Sequence, residues 1–265
     1  MIHFTPIRVI ARIGPMEIYS WGVMIAIGYI VGLFLALKEA KRQGIPQTNI
    51  YNLSFCILLG AMIGARLCYV LLNLKTFILE PFKIFFLFEG GMTSYGGFIG
   101  ATLAGFIYVR CTRLNFWKIA DICALAGALG LAIGRVGCFL NGCCFGRQTH
   151  LPWGIIYSEE SLAGEVGLGN VPIHPTQLYM SLNAFLIFII LYNLKKRKKF
   201  DGFLFLSFLI LYSLGRFLID SFRPWQPSDY ILSPPFRGLS LSHLVCMVIF
   251  VVSGLLLWKR YKKAG

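Results

Sequence analysis

Charge is what this chain has least of. Only 14% of its 265 residues are charged and only 11 are acidic, whereas a soluble domain carries roughly a quarter charged residues. Together with 57% hydrophobic residues and a mean hydropathy of +0.71, this excludes an ordinary soluble globular domain. No clear cleaved leader is read near the start either. The first apolar run, about 20–37, is followed by Lys38, Lys41 and Arg42 instead of a small-residue cleavage site, so it reads as a retained span. There is no long internal repeat, and the C-x2-C spacing of a structural zinc site does not occur around the clustered cysteines. Of the eight cysteines, Cys56, Cys68, Cys123 and Cys246 lie inside apolar runs and behave as small hydrophobes, not as parts of a disulfide framework.

Long apolar runs fill the space. A bilayer-crossing helix needs about 20 mostly apolar residues, and seven stretches qualify: about 20–37, 53–72, 92–109, 117–134, 176–194, 203–221 and 239–258. A shorter apolar piece at 82–88 is too short to cross and reads as an interfacial or re-entrant segment on the outer face. The expected fold is therefore an all-α membrane protein of about seven transmembrane helices. It forms a single polytopic domain over 1–265, with one long outer loop at about 135–175.

The formal net charge of +14 invites a nucleic-acid reading, but its distribution points elsewhere. With the N-terminus outside, four cytoplasmic segments collect 15 of the 25 basic residues: Lys38, Lys41 and Arg42; Arg110, Arg113 and Lys118; 195–199; and Lys259, Arg260, Lys262 and Lys263. That is the Lys/Arg bias of cytoplasmic loops, with the C-terminus inside and no nucleic acid needed to explain it.

The chemistry concentrates in residues 134–147, G-R-V-G-C-F-L-N-G-C-C-F-G-R, at the end of an apolar run. Arg66, Arg135, Arg216 and Arg223 lie inside apolar helices or at their outer ends, where an unpaired charge costs several kcal/mol. Four arginines at one depth, drawn from three spans, suit an anionic phospholipid headgroup, because guanidinium groups bind phosphate through paired, charge-assisted hydrogen bonds. The plainer alternative is snorkelling or structural pairing with carboxylates. Arg216, Asp220 and Arg223, spaced i, i+4 and i+7, share one helix face. Asp220 there either positions an arginine for a ligand or neutralises the helix for insertion.

Three further groups qualify. In G-G-M-T-S-Y-G-G-F-I-G, Gly90–Gly100, glycines bracket Tyr95, a hydrogen-bond donor or an interfacial aromatic. Cys138, Cys143 and Cys144 fit packing, a disulfide, redox chemistry or a metal. In H-P-T-Q-L-Y, His174 and Gln177 can face one side of a helix start, with Pro175 in its first turn.

These blocks, with G-A-R-L-C-Y-V at 64–70 and G-R-F-L-I-D-S-F-R at 215–223, resemble the prolipoprotein diacylglyceryl transferase family, in the family's order. The resemblance implies a multi-pass enzyme of the bacterial inner membrane, with its active site facing the outer leaflet. It would move the diacylglyceryl group of phosphatidylglycerol to the lipobox cysteine thiol of a prolipoprotein signal peptide, the first step of lipoprotein maturation. No cofactor or metal is implied, and the partners are those two substrates and membrane lipids. Catalytic roles would fall to Arg135 and Arg216, with Tyr95 in the block where the family has histidine. Arg135, Asn141, Gly142, Gly146, Arg66, Asp220, Arg223, His174, Gln177 and Trp21 would contact or shape the substrate site. The chain departs from the pattern at Tyr95, at Trp21 for a tyrosine, at Cys138 for an asparagine, at Cys143 for a glutamate and at Met180 for a glutamate. Asp220 stands where glutamate is typical. A cysteine-bearing signature is a recurring variant of the family. The competing readings are a membrane thiol-redox or metal-handling protein using Cys138, Cys143 and Cys144, and a phospholipid binder without catalysis.

Overall fold

The structure is a computed structural model that describes residues 1–14, 16–86, 91–224 and 240–264. It is mostly helical. Each of the seven apolar runs forms a helix: α1 Ser20–Arg42, α2 Gln47–Leu72, α4 Ser94–Cys111, α5 Phe116–Asn141, α6 Thr176–Leu194, α7 Phe203–Asp220 and α8 Leu241–Ala264. Six of these are long and apolar enough to cross a membrane; the glycine-rich, 18-residue α4 is not among the six. The chain is thus a multi-pass, all-α membrane protein in its main architecture. Between the second and third runs lie a short helix, α3 Leu74–Leu79, and a 3-10 turn, Pro81–Phe85, of which only the turn overlaps the expected short segment at 82–88. Residues 87 and 88 of that expected segment lie outside the described residues.

Small β-elements join the helices and were not expected from the sequence. An antiparallel hairpin pairs β2 Val9–Ile13 with β3 Met16–Tyr19. Two-residue strands, β1 Ile2–His3, β4 Ile155–Ile156 and β5 Pro172–Ile173, form a sheet in the order β1-β4-β5. Periodicity cannot reveal strands this short, whose partners are far apart in sequence. The sheet ties the N-terminus to the loop after α5, over a core of Ile155, Tyr157, Ala163 and Ile173.

The sequence reading treats the chain as one domain, and the described residues fall into two compact units. Unit one is 1–35 with 121–265, and unit two is 36–120.

In unit one, α1 and α5 run antiparallel at backbone contact. A Cβ on Gly28 would lie 2.8 Å from the Gly130 oxygen, and one on Gly137 would lie 2.7 Å from Cβ of Met24 and 3.1 Å from Cα of Trp21. Only glycine permits such an approach, and in lipid, close packing of small residues is a main source of helix association. Ser181 Oγ donates to the Ala132 carbonyl at 2.7 Å and so fixes α6 against α5. At the other end of these helices Asp121, fully buried, accepts from the backbone N–H groups of Gly202 and Phe205 at 2.9 and 2.8 Å and pairs with Lys198 at 3.0 Å. It thereby caps the N-terminus of α7 and favours it through the helix dipole. Both Asp121 and Asp201 hold the Lys198 charge, and their attraction outweighs the cost of its burial and raises its pKa.

In unit two, α2 and α4 pack through facing glycines. A Cβ on Gly64 would fall 2.3 Å from the Gly96 oxygen, and one on Gly100 would fall 2.1 Å from the Gly60 oxygen.

Candidate functional site

The site in unit one grows from how α5 ends. The helix runs through Arg135 and Cys138 to Asn141, seven residues beyond the end expected from the apolar run. Gly137, tucked against α1, lets it continue. It stops in a Schellman motif. Gly142 takes φ +73°, its N–H bonds to the Phe139 carbonyl at 3.0 Å, and the Cys143 N–H bonds to the Cys138 carbonyl at 3.1 Å. Ile7 N–H caps the Leu140 carbonyl at 2.8 Å, and Pro6 fills the space a Cβ on Gly142 would need. Cys144 then takes φ +59°, a left-handed conformation that non-glycine residues seldom adopt.

The helix start at His174–Gln177 holds this turn. Thr176 Oγ1 donates to the Cys144 carbonyl and Gln177 Nε2 to the Cys143 carbonyl, both at 2.8 Å. Gly146 is clamped: its N–H bonds to the His174 carbonyl, and a Cβ would lie 2.6 Å from His174 Cβ and 2.7 Å from the Phe222 oxygen. Arg147 bonds through its backbone to Phe222 and His174, leaving its side chain exposed. Buried His174 meets the Tyr179 hydroxyl through Nδ1 at 3.2 Å, and that hydroxyl accepts from Trp153 Nε1 at 2.8 Å. Burial and the nearby Arg147 charge both lower the His174 pKa.

The charged part sits at the end of α7. Asp220, fully buried, accepts from Arg216 Nε at 2.7 Å, faces Arg223 Nε at 3.3 Å and accepts from Ser242 Oγ at the start of α8. Burial first, and the Arg216 charge second, lower the Arg223 pKa; Asp220 and Cys144 oppose them, and Arg135 adds a further repulsion. Arginine remains a cation under such shifts. Arg135 is half-buried on α5 and forms no ion pair with a carboxylate among the described residues. Two guanidinium groups, Arg216 and Arg223, therefore share one carboxylate, and Arg135 stands close enough to repel Arg223, so the cluster carries excess positive charge.

Beside it, the sulfurs of Cys138, Cys143 and Cys144 all lie within 4.8 Å of one another, as free thiols. Hydrogen bonds from Cys138 and Cys143 lower the Cys144 pKa, helped by Arg223 and Arg135, and the same contacts raise that of Cys143.

Of the residues picked from sequence, Arg135, Asn141, Gly142, Gly146, His174, Gln177, Arg216, Asp220, Arg223 and the three cysteines fall in this part of unit one, and Trp21 backs Gly137 there. Arg66 and Tyr95 belong to unit two. Tyr95 is 77% exposed at the start of α4. Arg66 is buried and donates to the backbone carbonyls of Lys83, Ile84, Phe86 and Gly91. Its guanidinium pins the turn after α3 and borders a cavity of about 160 Å³ that Tyr69, Asn73, Thr76, Phe77 and Lys83 also line. Gly90 of the Gly90–Gly100 block lies outside the described residues. Sequence reasoning missed Thr176, Ser242 and His243. His243 Nδ1 accepts from the Ser240 N–H at 3.2 Å, and its ring packs edge-on to Phe217 at 4.9 Å. A polar S-H pair opening an apolar run was the available signal.

Comparison with known proteins gives the family. A profile of the family "Prolipoprotein diacylglyceryl transferase" matches residues 8–259. A phosphatidylglycerol–prolipoprotein diacylglyceryl transferase of Geobacter sulfurreducens is 36% identical over 254 residues, covering 94% of this chain and 93% of its own length. One of Clostridioides difficile is 35% identical, covering 96% and 97%. One of Bacillus cytotoxicus is 34% identical, covering 92% and 91%. Neither the thiol-redox nor the non-catalytic reading is favoured by these matches. The chain belongs to the prolipoprotein diacylglyceryl transferase family.

Proposed function

We propose that the chain is a transferase that moves the diacylglyceryl group of phosphatidylglycerol to the lipobox cysteine of a prolipoprotein. The observation that carries this reading is that Arg216 and Arg223 share the single carboxylate of Asp220 while Arg135 stands near enough to repel Arg223, all at the ends of apolar helices. Excess guanidinium charge at that depth calls for an anion, and a phosphodiester headgroup supplies one.

In the reaction the substrate sulfur attacks the glycerol carbon that carries the phosphate. A C–S bond forms and the C–O bond to phosphate breaks. Glycerol phosphate leaves with the electron pair, and the thiol gives up its proton. Charge grows on the departing phosphate, so donors already aimed at it lower the barrier. Asp220 holds Arg216 in place through the 2.7 Å contact. Arg135, without a carboxylate partner among the described residues, takes the phosphate. The same positive field favours the thiolate of the incoming peptide. Asn141, Gly142, Gly146, His174 and Gln177 shape the end of α5 and the turn that carries Cys143 and Cys144, and Trp21 backs the helix at Gly137. In the second unit Arg66 holds the turn after α3 through its carbonyl contacts, and Tyr95 offers an exposed side chain. A phenol is a weak base at neutral pH, so Tyr95 serves by hydrogen bonding.

The membrane placement follows from the basic segments. The N-terminus is outside and the C-terminus cytoplasmic, α4 is the seventh span, and the arginine cluster faces the outer leaflet of the bacterial inner membrane. Replacing Arg135 with Ala tests the assignment. Transfer falls roughly 10²–10³-fold, the loss typical of one preorganised charge-stabilising donor, while the protein stays in the membrane. Near-normal transfer by that variant sinks Arg135's role.

A further inference from the structure

The transfer reaction makes no use of Cys138, Cys143 and Cys144, since its nucleophile belongs to the peptide. Their arrangement has its own chemistry. Cys138 stands on the last turns of α5, and Cys143 and Cys144 follow the Schellman turn, which brings three thiols from a seven-residue stretch to within 4.8 Å of one another. Zinc–sulfur bonds of about 2.3 Å in tetrahedral geometry set sulfurs about 3.8 Å apart, so the observed spacing needs only small rotations of the side chains to close around an ion. The backbone that carries two of them is already fixed. The carbonyls of Cys143 and Cys144 are held by Gln177 and Thr176, and the Cys143 N–H by Cys138. Charge also fits. A divalent ion with three thiolates leaves a net charge of minus one, and the guanidinium groups of Arg135 and Arg223 stand close enough to act on Cys144 electrostatically. Cys144 is exposed, which gives an ion a way in.

We infer that Cys138, Cys143 and Cys144 form a three-sulfur site for one thiophilic divalent cation of the zinc class, next to the arginine cluster. On binding, each thiol gives its proton to solvent and its sulfur lone pair to the metal; no oxidant is involved. The site does not depend on the transfer reaction, and its readout is spectroscopic.

The test titrates cadmium into the purified full-length protein, kept reduced by a phosphine. An ultraviolet thiolate-to-cadmium charge-transfer band is expected, saturating at one equivalent per chain and displaced by zinc. The band is lost in Cys144→Ser, in Cys143→Ser and in the double variant, each checked for a single monodisperse species in detergent. It survives in Cys56→Ser, which removes a cysteine of the other unit. Absence of the band in the reduced protein, or its persistence in the double variant, overturns the site.

Discussion

Asp220→Asn is the sharpest probe of how the arginine cluster is held. The substitution keeps size and shape, removes one charge, and leaves Ser242 and Arg216 an oxygen to bond. The carboxylate is fully buried, and the two arginine side chains it serves are each 18% exposed, at 2.7 and 3.3 Å. Removing one partner of a buried ion pair costs roughly 3–5 kcal/mol, because the remaining charge stays in the low-dielectric interior. With the hydrogen-bond acceptor preserved, the low end applies, about 3 kcal/mol. On the scaling of soluble domains, about 2–4 °C per kcal/mol, that amounts to a thermal midpoint lower by roughly 6–12 °C. Arg216 also loses its anchor. Misplacing a positioned group by an ångström costs about 10²-fold in rate, so transfer falls by that order even where the protein remains folded. The assay pairs a fluorescence melt in detergent with initial rates of glycerol phosphate release. Asp220→Glu keeps the charge and adds a methylene to a full site, at about 1–3 kcal/mol, and should transfer faster than the Asn variant. An Asn variant that melts and transfers like the parent refutes the reasoning.

Other outcomes follow from the same geometry. Gly146→Ala pushes a methyl into the His174 and Phe222 backbones, and should cost about 1–3 kcal/mol by overpacking, read as a lower melting midpoint with reduced transfer. Arg66→Lys should destabilise the protein nearly as much as Arg66→Ala, because one ammonium cannot reproduce a planar fork reaching four carbonyls; limited proteolysis after residue 80 reads it. His174 has its pKa lowered by burial and by Arg147. Folding therefore favours its neutral form, and its contribution is full above the unfolded value of about 6.5 and is lost as the pH falls from there through the folded value. His174→Gln should flatten the melting midpoint across that window.

The seven helices were legible in the sequence because lipid demands long apolar runs, and the Arg216–Asp220–Arg223 group because i, i+3 and i, i+4 spacing on a helix brings side chains together. The end of α5 was not. Residues 135–141, R-V-G-C-F-L-N, open on an arginine past the apolar run and read as loop, yet Gly137 allows the close contact with α1 that keeps them helical. The part Arg66 plays in pinning the turn after α3 was not legible, because its partners are backbone carbonyls that leave no mark in composition. The three-stranded sheet was hidden because each strand is two residues long and is paired across a large separation. Asp121 had a signal, a lone acid in an apolar run, and its role was invisible until Lys198 and the start of α7 were seen around it.

The central claim is that this arginine cluster transfers a diacylglyceryl group from phosphatidylglycerol to a thiol. Its most direct test mixes the purified protein with phosphatidylglycerol and a peptide bearing a lipobox cysteine, and follows peptide mass and free glycerol phosphate together. The account predicts a diacylglyceryl mass gain matched by an equal release of glycerol phosphate, both abolished when the peptide cysteine is serine. Lipid binding with neither product, alongside an active family member run as control, contradicts it.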